Sequence, residues 1–169
     1  MAEPQIQERS TQPYLAIACE VTDGVPAAVD RAFPALFGWL AEHDVVPAGP
    51  PFIRTLELDP AGEPLQLEVA APVANPGSGD ARVHAGALPA GRYVTLVHVG
   101  PYRSETAPDL GAARAVLLDW MATHGIAYSR ATDRGSTLGC CVEHFRVGPV
   151  EEPDFTEWET EFAYLITED

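Results

Sequence analysis

Phe37-Gly38-Trp39-Leu40-Ala41-Glu42-His43-Asp44 and Leu118-Asp119-Trp120-Met121-Ala122-Thr123-His124-Gly125 carry Trp, Ala and His at the same three offsets, eighty-one residues apart. Each stretch closes a helical pattern that one strand pattern precedes and two follow. The last strand of each set holds a glutamate among apolar neighbours: Glu68 in Leu67-Glu68-Val69-Ala70-Ala71, and Glu161 in Thr160-Glu161-Phe162-Ala163-Tyr164. The spacing predicts one βαββ unit written twice, an α+β layout in which two helices cover a curved antiparallel sheet about a pseudo-twofold axis. Such units bury their apolar faces against each other, so a carboxylate on a buried face needs a partner or a cationic ligand.

Working outward, Tyr14–Val21 reads as the first strand, and the first helix runs from about Pro26 to His43 with Val25, Val29, Ala32, Phe33, Leu36 and Leu40 on one face. Pro34 interrupts that face, where its missing N–H predicts a kink or a split. Strands over 52–57 and 65–70 follow, hinged on Asp59-Pro60-Ala61-Gly62. Asn75-Pro76-Gly77-Ser78-Gly79-Asp80 breaks all periodicity and reads as the joint between copies. The second copy opens with a strand over 92–99, continues with a helix from about Pro108 to a stop at Gly125, and ends in strands over 138–145 and 158–166. Between His124 and Glu161 it is twelve residues longer than the matching stretch of the first copy, an excess expected to be loop. The expected organisation is a flexible Gln/Glu/Pro-rich tail over 1–12 and a single domain over 13–169, with copies at about 13–74 and 82–166.

The 169 residues include 25 acidic and 10 basic side chains, a net charge of −15. A surface so negative repels phosphate backbones and anionic lipid heads, which argues against direct binding of nucleic acid or membrane. The apolar runs are all too short for a membrane span, and the start of the chain lacks the basic and apolar regions of a signal peptide, so a cytoplasmic protein is expected. Cys19, Cys140 and Cys141 are odd in number and show no C-x-x-C spacing; they read as reduced, buried residues, with no metal and no cofactor expected.

Alternation along the last strand puts Glu159, Glu161, Ala163 and Leu165 on one face and Thr160, Phe162, Tyr164 and Ile166 on the other. Glu161 is the first candidate for function, since a mid-strand carboxylate is costly to bury without a counter-charge. The structural alternative is a glutamate that faces water or pairs with Arg54, Arg92 or Arg146. Trp39, Phe52, Tyr102, Trp120, Phe145 and Tyr164 lie at strand or helix ends, where they could wall a seam between the copies. Aromatic faces around a carboxylate with no fixed internal counter-charge suit a planar, delocalised cation. No G-x-S-x-G turn marks a nucleophile, and no glycine-rich loop opens a helix.

Ala90-Gly91-Arg92-Tyr93, His98-Val99-Gly100-Pro101-Tyr102, Leu117-Leu118-Asp119-Trp120-Met121, Val142-Glu143-His144-Phe145 and Glu159–Ile166 occur in the order of a known signature. The pattern resembles the GyrI-like small-molecule-binding domain of the SOUL/GyrI-type fold, which also forms the effector-binding half of multidrug-sensing transcription activators. The first copy is similar through Trp39, Gly49-Pro50-Pro51-Phe52 and Leu67-Glu68-Val69. The resemblance implies a ligand cleft between two βαββ halves, and a stand-alone binder of aromatic, preferably cationic, lipophilic molecules. It implies that Glu161 faces the ligand with Tyr102 and strand aromatics near it; with the aromatics read above, the expected ligand-binding set is Glu161, Tyr102, Trp39, Trp120, Phe52, Phe145 and Tyr164. Phe145 and Thr55 stand where the family often has tyrosine, so two hydroxyls are missing. Two alternatives come with the resemblance: a hydrolase opening cyclopropane rings of DNA-alkylating natural products, with Glu161 as catalytic base, and an interaction protein shielding a target such as gyrase.

Overall fold

A computed structural model describes residues 2–130 and 138–167. The elements are β1 (Gln5–Arg9), β2 (Gln12–Glu20), α1 (Val25–Glu42), β3 (Phe52–Leu58), β4 (Pro64–Pro72), β5 (His84–Leu88), β6 (Gly91–Val99), α2 (Leu110–Thr123), β7 (Cys141–Val147) and β8 (Glu159–Leu165). The strands form a single antiparallel sheet in the order β1-β6-β8-β7-β3-β4-β2-β5. Each βαββ unit supplies three adjacent strands, and the units meet at the β3–β7 pair. The outermost strands are exchanged: β1 precedes β2 in sequence yet pairs with β6, and β5 precedes β6 yet pairs with β2.

That exchange bends the sheet. From β1 to β2 is six strand spacings, roughly 29 Å if the sheet were flat. The link between Arg9 and Gln12 reaches only about 11 Å. The equally short link from Leu88 to Gly91 makes the same demand, so the sheet curls into a half-barrel whose two edges approach at one end. The helices lie on the convex side, and the two links border the concave side.

The convex core has two parts. Leu36 and Leu40 of α1 pack with Leu15, Ile53, Leu67 and Val69, while Leu117 and Met121 of α2 pack with Val94, Leu96, Phe162 and Tyr164. Each fully buried leucine contributes about 2 kcal/mol of transfer free energy, enough to fix which way each helix faces. The repeated Trp and His meet within each helix. His43 stacks on Trp39 with ring centroids 3.8 Å apart and bonds its carbonyl through Nδ1, and His124 does the same with Trp120 at 4.0 Å. The repeated Trp and His thus form the same helix-end contact in α1 and α2.

Three expectations are corrected. Residues 5–9 form β1, because their backbone groups find a ladder on β6; the strand side chains point mostly to solvent, which is why they read as a tail. Pro34 does not split the helix: it lies within one continuous α1, with buried residues on either side of it. The stretch after the joint contributes β5, paired with β2 rather than with its neighbour in sequence. Part of the expected loop excess of the second copy falls on 131–137, outside the described residues.

Candidate functional site

The concave face is fixed by the ladder registers. One row runs Ala16, Ala70, Phe52, His144, Glu161, Val97 across six strands; the next runs Ala18, Glu68, Arg54, Val142, Ala163, Thr95. Ala16, Ala70, Phe52, Val142 and Ala163 of these rows and their neighbours Tyr14, Leu88, Tyr93 and Cys140 form a third buried cluster. A hollow of about 310 Å³ opens within this face, walled by Arg9, Leu88, Tyr93, Val142, His144 and Ala163 and bordered by the Ser10–Gln12 link. Its volume lies at the lower end of the range for small-molecule pockets.

Two carboxylates stand on the concave face at equivalent places. Glu68 of β4, fully buried, lies directly across the ladder from Arg54, which is also fully buried. Its Oε1 accepts from the Tyr14 hydroxyl at 3.3 Å, and its Oε2 meets His84 Nε2 at 2.8 Å. Arg54 in turn donates to the Tyr14 hydroxyl at 3.0 Å and to the Gly139 carbonyl at 2.8 Å. Glu161 of β8 is 3% exposed and lies across from His144 rather than from a cation. Its counter-charges come from the rim: Arg9 Nη2 at 2.8 Å from Oε1, and Arg146 Nη2 at 2.5 Å from Oε2. Those arginines are 28% and 41% exposed.

The expectation that Glu161 has no internal counter-charge is therefore corrected, and of the sequence alternatives the Arg146 pairing is present. His144 sits between Glu161 and Phe52, its ring 5.2 Å from that of Phe52. Burial pushes its pKa down to about 4, with Arg9 and Arg146 adding to the depression and Glu161 opposing it. The ring is neutral at pH 7, so it adds no charge to the floor of the hollow.

The candidate residues divide between two faces of the sheet. Glu161 and Phe52 share the concave row, with Phe52 packed edge-on against Tyr14 at 5.3 Å. Phe145 and Tyr102 belong to a convex aromatic group, 5.5 Å apart, with Tyr102 also 4.5 Å from Trp158 and Phe145 6.1 Å from Phe33. Burial raises the pKa of the Tyr102 phenol. Tyr164 packs in the α2 core, where burial is the main cause that raises its phenol pKa and Arg114 opposes the rise. Trp39 is buried beneath α1 and donates its indole N–H to Asp80 Oδ2 at 2.7 Å, while Trp120 packs against the α2 core. Asp80 is held at a pKa of about 2, first by Trp39 and then by the Val83 and Arg82 amides, so the segment between β4 and β5 is tied to α1. The five convex residues do not converge on Glu161.

Sequence pattern alone does not bring Arg9, Tyr93, His144, Val142 and Ala163 to one wall. Ala163 was readable from its two-residue spacing to Glu161, but the others needed the strand order. Among the described residues no group of histidine, cysteine and acidic side chains could hold a metal ion.

A curled sheet with outer helices and a half-open, mostly apolar hollow near a buried carboxylate fits a small-molecule-binding domain. The sequence matches the GyrI-like small molecule binding domain family over residues 2–161, and the chain belongs to that family. No curated protein matches it. Among solved structures, the EcmrR C-terminal domain is similar with a TM-score of 0.77 and 17% identity, covering 99% of this chain and 98% of that one. EcmrR in its complex with DNA gives 0.80 at 17% identity, and this chain spans 58% of that longer chain while 99% of it is covered. SAV2435 bound to tetraphenylphosphonium gives 0.57 at 10% identity, with 98% and 94% covered. A hydrolase from Listeria innocua gives 0.59 at 14%, with 98% and 92% covered. At these identities the likeness is one of fold. No helix among the described residues is long and apolar enough to cross a membrane.

Proposed function

We propose that the concave hollow takes up aromatic, preferably cationic, lipophilic molecules, with Glu161 supplying the negative charge that faces them. The observation that carries this reading is the asymmetry between the two carboxylates. Glu68 faces a buried arginine, whereas Glu161 has only rim arginines that retain contact with water. A guanidinium that is already part-solvated can swing out at small cost, and a ligand cation can then take its place at the carboxylate. Tyr93 and neutral His144 line the hollow and offer rings near that charge, suited to a delocalised cation and undemanding in direction, while Phe52 is fully buried behind them. The ligand of SAV2435, an aromatic cation held by a protein of the same fold, agrees with this chemistry. Binding is tested by fluorescence anisotropy of rhodamine 6G. Saturable binding that weakens at least tenfold in Glu161→Gln supports the reading; no saturation in the wild type, or equal affinity in the variant, refutes it.

A second reading, hydrolysis of a reactive hydrophobic molecule, draws on Glu161 and His144. The His144 ring lies directly across the ladder from Glu161 and, with its pKa near 4, is a weak base at neutral pH, which leaves the carboxylate as the group to accept a proton from water. Incubation with a cyclopropane-bearing alkylating agent separates the readings: ring-opened product in excess over protein marks turnover, and stoichiometric protection marks binding alone.

A further inference from the structure

We propose that β1 is a built-in latch: the Arg9 guanidinium holds the place of the ligand cation at Glu161, and uptake of a cationic ligand displaces Arg9 and frees β1 from β6. This inference rests on the binding reading above and states how the site is regulated.

Arg9 meets three conditions for such a surrogate. Its Nη2 lies 2.8 Å from Glu161 Oε1, its guanidinium carbon lies 6.0 Å from the centre of the Tyr93 ring, and its side chain forms part of the wall of the hollow. A cation–aromatic–carboxylate contact is the arrangement expected of a ligand, here supplied by the chain itself. Removal of Arg9 from the wall also enlarges a hollow that is small for its class.

The strand that carries Arg9 is lightly held. It has five residues, pairs on one side only, and its side chains from Gln5 to Glu8 are all exposed; the buried neighbours are Pro4 before it and the half-buried Arg9 at its end. Ile6, its one large apolar residue, is exposed as well. Edge strands with little apolar burial open at free energies far below that of global unfolding. Arg146 remains with Glu161 when Arg9 leaves, so opening does not strand the carboxylate before a ligand arrives.

Two full-length variants test the latch with tetraphenylphosphonium as the probe. Arg9→Met keeps the apolar stem and removes the internal competitor, and its affinity for the probe is expected to rise about tenfold. Glu8→Cys/Arg92→Cys fixes β1 to β6 through a disulfide. The two residues are register partners and exposed, and the Arg92 carbonyl bonds Ile166 on the opposite side, so they form a closely spaced non-hydrogen-bonded pair. The oxidised form should bind the probe at least tenfold more weakly than the reduced form, and in the wild type the probe should speed hydrogen exchange of the β1–β6 amides. Binding that is equally tight with β1 locked, together with an Arg9→Met affinity equal to or below wild type, overturns the latch and leaves the binding reading standing. Absence of probe binding in wild type, reduced double variant and Arg9→Met overturns both. Binding confined to Arg9→Met supports a latch that holds firmly.

Discussion

Glu68 and Glu161 occupy equivalent places in the two halves of the sheet, and the side chains that answer their charge differ in kind. Across the ladder from Glu68 stands Arg54, buried and fixed by Tyr14 and Gly139; across from Glu161 stands a neutral histidine. The charge Glu161 needs arrives instead from an edge strand and from the far end of β7. A buried pair that loses one member leaves an uncompensated charge in a dry place, whereas a rim pair exchanges one partner for water or ligand. One half of the sheet thus holds its carboxylate against a buried cation, and the other holds it against arginines that keep contact with water.

The largest expected effect breaks the buried pair. Arg54→Met should destabilise the protein by about 3–5 kcal/mol in urea unfolding, while Arg146→Met should cost about 1 kcal/mol or less. Equal costs would erase the distinction between the halves. The next tests the neutral histidine. An unfolded His144 titrates at its ordinary 6.5 and the folded one at about 4, so the unfolded chain binds the proton first as pH falls. Its contribution is therefore complete above pH 6.5 and is lost between 6.5 and 4. Between pH 7.5 and 5 the wild type should lose roughly 2 kcal/mol more than His144→Phe, measured by urea midpoints at both pH values. A parallel loss in the variant would place the titration elsewhere. The smallest compares the two repeated tryptophans. Trp39→Phe removes the indole bond to Asp80 and should cost about 1 kcal/mol more than Trp120→Phe, read as a shift in thermal midpoint.

The sequence pattern was enough to read the βαββ order and both helices, because strand and helix periodicities are local properties; it left open whether Glu161 is buried or faces water, which only the strand order decides. The start of α2 was legible to within two residues: the helix expected from about Pro108 begins at Leu110, and Pro108 lies just before the cap, Asp109, which accepts from the Ala112 amide. Tyr164 shows a signal that was present and outweighed. Alternation along β8 already put it on the opposite face from Glu161, and its position near a strand end recommended it all the same. Arg9 was not legible, because its partner strand lies more than eighty residues away and nothing in Gln5-Ile6-Gln7-Glu8-Arg9 announces pairing with β6. His144 and Phe145 could not be assigned to faces until the register of β7 against β3 and β8 was known, since a shift of one residue exchanges them.

The account turns on the claim that Glu161, and not its counterpart, meets the ligand. Titration calorimetry of tetraphenylphosphonium into wild type, Glu161→Gln and Glu68→Gln, each shown to be folded by circular dichroism, tests it directly. The account predicts an affinity at least tenfold weaker for Glu161→Gln and within about twofold of wild type for Glu68→Gln. The reverse order, or an equal loss in both, would contradict it.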